Sequence, residues 1–152
     1  IALTLAAAWP AAIAEAVDLS EDALALAREN AARHGLAERV LFHHSDLLGG
    51  VEGECDLIVA NLPYIATAEI PRLSAEVQHD PVSALDGGGD GAGIVRVLIA
   101  EATQHLRGRL ALEIGHDQAT ALSETLAIHN FQDIRIVSDY QGRNRFLFAT
   151  YG

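Results

Sequence analysis

Apolar positions fall into short continuous runs separated by longer stretches with helical spacing. Ile1 to Trp9 is rich in Ala and Leu and stops at Pro10, the pattern of a helix ended by proline. Ile13–Asp18 is a strand-length run with an acid at its carboxyl end. Ser20 then offers an N-cap, and Glu21 and Asp22 place negative charge in the first turn. Leu24, Ala27 and Ala31 recur at i, i+3 and i+7 until Gly35 supplies the stop. Arg39–His44 predicts a second strand, and the apolar run Cys55–Ala60 predicts a third of the buried, parallel kind.

Beyond Asn61-Leu62-Pro63-Tyr64 a short helix is expected near Ala68–Val77, then a glycine-rich loop around Asp86–Gly93. Ile94, Leu98 and Ala102 at i, i+4 and i+8 predict a helix over Ile94–Leu106. Leu110–Ile114 reads as a strand closed by Gly115. Asp117–Asn130 reads as a helix with Ala121, Leu122, Thr125 and Leu126 inward. Ile134–Val137 and Arg145–Thr150, with Gly142 between them, form an antiparallel edge hairpin. Strands alternating with helices predict one α/β domain over residues 1–152, with a mostly parallel sheet covered on both faces. The opening helix has no start signal, so the sequence reads as N-terminally truncated. A further strand, between Ile13–Asp18 and Cys55–Ala60, is expected upstream.

With 10 Lys+Arg against 21 Asp+Glu, the formal net charge of the 152 residues is −11. Such a chain repels a phosphate backbone, which speaks against direct nucleic-acid binding. Half the residues are hydrophobic, too many for a disordered chain, yet they are too interrupted for a membrane span. One cysteine, Cys55, excludes an internal disulfide framework and fits a reducing compartment such as the cytoplasm. His43, His44 and Asp46 are weak metal candidates, because neighbouring strand residues point to opposite faces and no second ligand cluster follows. No metal is expected. Gly87–Gly93 lacks both the Lys-Ser/Thr ending of a phosphate loop and the spacing of a dinucleotide fingerprint, and reads as a mobile loop near the substrate.

In open α/β sheets ligands gather beyond the carboxyl ends of strands. Asp18, Ser45-Asp46, Asn61 to Tyr64 and Glu113 fall there. A strand-end acid such as Asp18 either accepts hydrogen bonds from ribose hydroxyls or caps the next helix. Asp46 either accepts from an adenine amino group or is a turn residue. Glu113 either faces the site or holds neighbouring backbone. Asn61-Leu62-Pro63-Tyr64 combines an amide oxygen, a backbone carbonyl, a fixed φ and a flat aromatic face, a cup suited to a planar –NH2 group. The alternative is a proline turn with Tyr64 packed on the core.

Asp56-Leu57-Ile58-Val59-Ala60-Asn61-Leu62-Pro63-Tyr64-Ile65 resembles motif IV of S-adenosylmethionine-dependent amino methyltransferases, usually Asn-Pro-Pro-Tyr. Leu73, Glu76-Val77, Asp80-Pro81 and Ala84 to Gly91 resemble the stretch that follows it in the HemK/PrmC family. Leu112-Glu113-Ile114-Gly115 with Gln118, and Asp139 to Arg145, also match. The resemblance implies a Rossmann-like class I methyltransferase fold and S-adenosyl-L-methionine as cofactor. It implies methylation of the glutamine amide nitrogen in the Gly-Gly-Gln motif of peptide chain release factors, the protein partners in translation termination. It makes Asp18 the ribose acceptor, sets Asp46 and Leu47 beside the adenine, and gives Asn61, Leu62, Pro63 and Tyr64 the glutamine amide, with Asn61 also near the cofactor. Three positions depart from the family pattern: Leu62 replaces Pro, Asp80 replaces Glu, and Leu47 stands where some members have an aromatic. The family's glycine-rich motif I and N-terminal helical domain are not represented in these residues. Asn-Leu-Pro-Tyr is also common in rRNA adenine dimethyltransferases, so an N6-adenine methyltransferase acting on rRNA or DNA is the rival enzyme. A fragment unable to bind cofactor is the non-enzymatic alternative.

Overall fold

A computed structural model describes residues 1–152, which group into two units, Ile1–Gly53 and Glu54–Gly152. The first unit contains α1 (Ala2–Ala8), β1 (Ala14–Asp18), α2 (Glu21–Arg33) and β2 (Val40–His44). β1 and β2 run parallel from Ala14↔Val40 to Asp18↔His44, so both carboxyl ends emerge side by side. The Ser20 hydroxyl accepts from the Ala23 N–H at 3.2 Å, as its N-cap position predicts. Gly35, at φ +66°, follows the other end of the helix, and Leu24 and Ala31 are buried. α1 packs through Ala6 against Leu36 and Val40. Its last carbonyls are gathered by Arg39, whose Nη1 donates to Ala6 O at 2.6 Å and lies 3.3 Å from the Trp9 and Pro10 carbonyls. A guanidinium there also complements the negative end of the helix dipole.

The second unit contains β3 (Cys55–Asn61), α3 (Gly93–His105), β4 (Leu106–Glu113), α4 (Ala119–Ile128), β5 (Gln132–Ser138) and β6 (Asn144–Thr150). Its sheet has the order β3-β4-β6-β5, separate from the β1–β2 pair. β3 and β4 are parallel, whereas β6 is antiparallel to both β4 and β5. Alternation sorts the side chains. Ile58, Leu110, Leu112, Leu147 and Ala149 are buried, as are Val95, Leu98, Ile99 and Ala102 of α3 and Leu122 and Leu126 of α4. No helix is long and apolar enough to cross a membrane.

Several expectations shift. Residues 68–77 do not form an α-helix. Single 3₁₀ turns stand at Ile70–Arg72, Val77–His79 and Val82–Ala84, because Pro71 and Pro81 break the segment and no apolar stripe supports it. β4 begins at Leu106, directly after α3, rather than at Leu110. Gly108 allows this: a Cβ there would collide with the Asp56 carbonyl, beside a register irregularity between Cys55 and Leu57. Ala121 is exposed rather than inward, since the buried stripe of α4 runs Ala119, Leu122, Leu126. Only β5 is the edge of the C-terminal hairpin, β6 lying inside the sheet.

Leu147 is fully buried on the central antiparallel strand. Leu147→Ala is expected to lower unfolding stability by about 2–5 kcal/mol in urea titrations followed by circular dichroism; a loss within error of zero would contradict the packing described.

Candidate active site

In the second unit, Asn61 ends β3 in register with Glu113 at the end of β4. Because Ile58, Leu110 and Leu112 face the buried side, alternation puts Asn61 and Glu113 on the opposite face. Asn61 is exposed, and neither its side-chain amide nor the Leu62 carbonyl has a hydrogen-bond partner within the chain. Two acceptors in consecutive residues are therefore left open at a strand terminus, beside the half-buried Pro63 and Tyr64.

Tyr64 is fixed from two sides. Gln118, only 7% exposed, donates from Nε2 to the Tyr64 carbonyl at 2.8 Å, while its Oε1 accepts from the Gly115 N–H at 2.8 Å. One amide thus bridges the turn after β4 and the segment after β3. The Arg145 guanidinium carbon lies 5.5 Å from the Tyr64 ring centroid, within cation–π range.

The glycine-rich segment, expected to be mobile, is instead bonded into this arrangement. Ile65 and Asp86 form a parallel bridge, and Gly87 N donates to the Ile65 carbonyl at 2.9 Å. Gly91 has φ +74°, and a Cβ there would run into the Tyr64 carbonyl; one on Gly87 would lie 2.7 Å from Pro63 O. These glycines let two backbones approach closely. The Asp86 carboxylate accepts from the Thr67 hydroxyl at 2.7 Å and the Gly88 N–H at 2.9 Å, bonds that hold its pKa below the ordinary value. Asp90, paired with Arg96 at 2.6 Å and bonded to the Ala92 N–H, is lowered to about 2.

In the first unit, Asp18 Oδ1 accepts from the Ser20 N–H at 2.8 Å, so the carboxylate does serve the helix start. Its second oxygen has no partner, leaving one acceptor at the end of β1. Asp46 is exposed, and its carbonyl accepts from Gly49 N at 3.2 Å. Leu47 adopts φ +47°, left-handed backbone that a branched residue rarely takes. His43 turns toward Glu15, with Nε2 3.2 Å from Oε2. His44 bonds instead to the Leu19 carbonyl at 2.9 Å and faces Glu21.

Comparison with known proteins adds to this geometry. A family profile, the methyltransferase small domain, matches residues 1–92, a stretch that includes Asn61–Tyr64 and Gly87–Gly91. The chain belongs to this methyltransferase family. It is similar to a release factor glutamine methyltransferase of Moorella thermoacetica, 44% identical over 98% of this chain and 54% of that protein. It is also similar to a ribosomal protein uL3 glutamine methyltransferase of Burkholderia pseudomallei, 41% identical over 78% of this chain and 42% of the relative. The chain spans about half the length of the curated relatives it matches. The N-terminal domain of human METTL16, solved in complex with SAH, shares the fold with a TM-score of 0.66 at 16% identity, covering 97% of this chain and 55% of that one. The fold of this chain is therefore the class I type that the resemblance implies, and the resemblance drawn from residues 56–145 extends along nearly its whole length.

Gln118 was visible in the sequence only as a match to a family pattern. Nothing in its spacing announced a bridge to Tyr64, because the partners lie 54 residues apart. Gln118→Leu would leave the buried Gly115 N–H and Tyr64 carbonyl unpaired. The expected loss is about 1–3 kcal/mol in urea unfolding, with faster hydrogen exchange at Gly115; wild-type exchange there would contradict the bridge.

Proposed function

We propose that residues 1–152 act as one methyltransferase catalytic domain that moves a methyl group from S-adenosyl-L-methionine to the glutamine amide nitrogen in the Gly-Gly-Gln motif of peptide chain release factors. The observation that carries this reading is the pair of unfilled acceptors, the Asn61 amide oxygen and the Leu62 carbonyl, next to a tyrosine whose backbone is anchored by Gln118. The names of the relatives support it, since both specify glutamine as the methylated residue. A substrate that works in peptide release supports a cytoplasmic setting for the enzyme, and the net charge of −11 fits a protein substrate better than a nucleic acid.

An amide nitrogen is a weak nucleophile because its lone pair is delocalised into the carbonyl. Asn61 and Leu62 accept its two hydrogens, which turns the lone pair out of that plane of contacts and toward the incoming carbon. As the N–C bond forms, positive charge grows on nitrogen, and the two oxygens stabilise it where it appears. Pro63 keeps the Leu62 carbonyl outward, and Tyr64 offers a flat face to the amide. The methylated nitrogen then sheds a proton to solvent, so no strong general base is required. The cofactor would supply an electrophilic methyl whose leaving group departs neutral. Asp18 would hold its ribose hydroxyls through the unpartnered oxygen, Asp46 and Leu47 would border the adenine, and Asn61 would also lie near it.

In the full protein, Asn61→Ala is expected to cut methyl transfer to a Gly-Gly-Gln peptide by roughly a hundredfold or more while calorimetry still detects cofactor binding. Unchanged turnover would end the proposal. Asp18→Ala should weaken cofactor binding by about 10- to 100-fold, in line with a lost charged hydrogen bond. Transfer of label to rRNA in preference to release factor would instead favour the adenine reading, for which the Asn-Leu-Pro-Tyr spelling is the supporting observation.

A further inference from the structure

Arg145 has more partners than a surface arginine needs. It is the second residue of β6, next to Asn144, and is 21% exposed in its side chain. Its Nη1 donates to the Ile114 carbonyl at 3.1 Å, and the Ile114 N–H donates in return to the Arg145 carbonyl at 2.9 Å. Its Nε lies 3.9 Å from Asp139 Oδ2. Asp139 is itself pre-set: Oδ1 accepts from the N–H groups of Gln141 at 2.8 Å and Arg143 at 3.0 Å, closing the turn that Gly142 completes at φ +77°. The remaining oxygen is thereby directed to Arg145. Backbone bonds from Arg143 and Gln141, with the nearby arginine charges, keep this carboxylate ionised below its ordinary pKa. The guanidinium is held at two points, and its carbon stands 5.5 Å from the centre of the Tyr64 ring. Gln118 restrains only the Tyr64 backbone, at its carbonyl. Arg145 is the group that faces the ring.

We propose that Arg145 is a positioning residue for the candidate active site: locked by the Ile114 carbonyl and the Asp139 carboxylate, it sets the orientation of the Tyr64 ring against which the substrate amide lies. The assignment rests on the methyl-transfer reading above, but the ring's orientation is measurable without turnover. A lysine cannot replace the arginine here. An ammonium supplies charge but not the planar fork that bonds the Ile114 carbonyl and pairs with Asp139 while facing an aromatic ring.

The test uses the full protein labelled with 3-fluorotyrosine; residues 1–152 contribute Tyr64, Tyr140 and Tyr151. The Tyr64 fluorine signal is assigned with Tyr64→Phe. Arg145→Ala and Arg145→Lys should both shift or broaden the Tyr64 signal and leave that of the exposed Tyr140 in place. Both should lower kcat on a Gly-Gly-Gln peptide by about 10- to 100-fold, the scale of a misplaced substrate, with cofactor affinity within twofold of wild type. An unmoved Tyr64 signal in Arg145→Ala, or full recovery of kcat by Arg145→Lys, overturns the proposal. So does a uniform shift of all three signals with loss of cofactor binding, which marks a merely structural role. If the wild-type protein methylates no glutamine amide, the functional reading fails, and the fluorine spectra still decide whether Arg145 orients Tyr64.

Discussion

One buried amide side chain carries the geometry of the candidate site. Gln118 gives both of its functional atoms to backbone, an acceptor to Gly115 and a donor to Tyr64. A buried amide that satisfies two backbone groups at once is stable only in one orientation, since rotating it would set donor against donor and acceptor against acceptor. The segment after β3 therefore inherits its position from the turn before α4. Everything chemical about Asn61 and Leu62 depends on that inheritance: two open acceptors serve only if the backbone between them stays in place.

The glycine-rich segment supports the same backbone from the other side. Its bonds to Ile65 and Thr67, and the close approach of Gly87 and Gly91 to Pro63 and Tyr64, leave no room for side chains. This gives the departure at Leu62 a physical explanation. A proline there would stiffen the loop covalently, whereas here Gln118, Gly91 and the Ile65–Asp86 bridge restrain it through contacts. Rigidity in this loop is a property of its surroundings as much as of its own residues.

Much of the fold was legible because its signals are local. Ser20 as cap, Gly35 as stop and the apolar run before Asn61 each declare an element within a few residues, and the structure has them there. Asn61 was likewise readable as a strand-end residue. What escaped was set by distant partners. The early start of β4 depends on Gly108 lying against Asp56. The tethering of the glycine segment depends on carbonyls more than twenty residues earlier, and the ring contact of Tyr64 depends on Arg145. The absent helix at 68–77 is the reverse case: Pro71, inside that stretch, argues against it locally. Sequence spacing points to the candidate site residues here; the residues that hold them still are found only in three dimensions.

Arg39 has a consequence for the order in which the first unit comes apart. The last carbonyls of a helix have no partner within it. α1 instead borrows its terminus from a guanidinium at the entrance to β2, which collects the carbonyls of Ala6, Trp9 and Pro10. Fraying of that strand would take the donor away from these carbonyls, so the carboxyl end of α1 and the entrance to β2 loosen together.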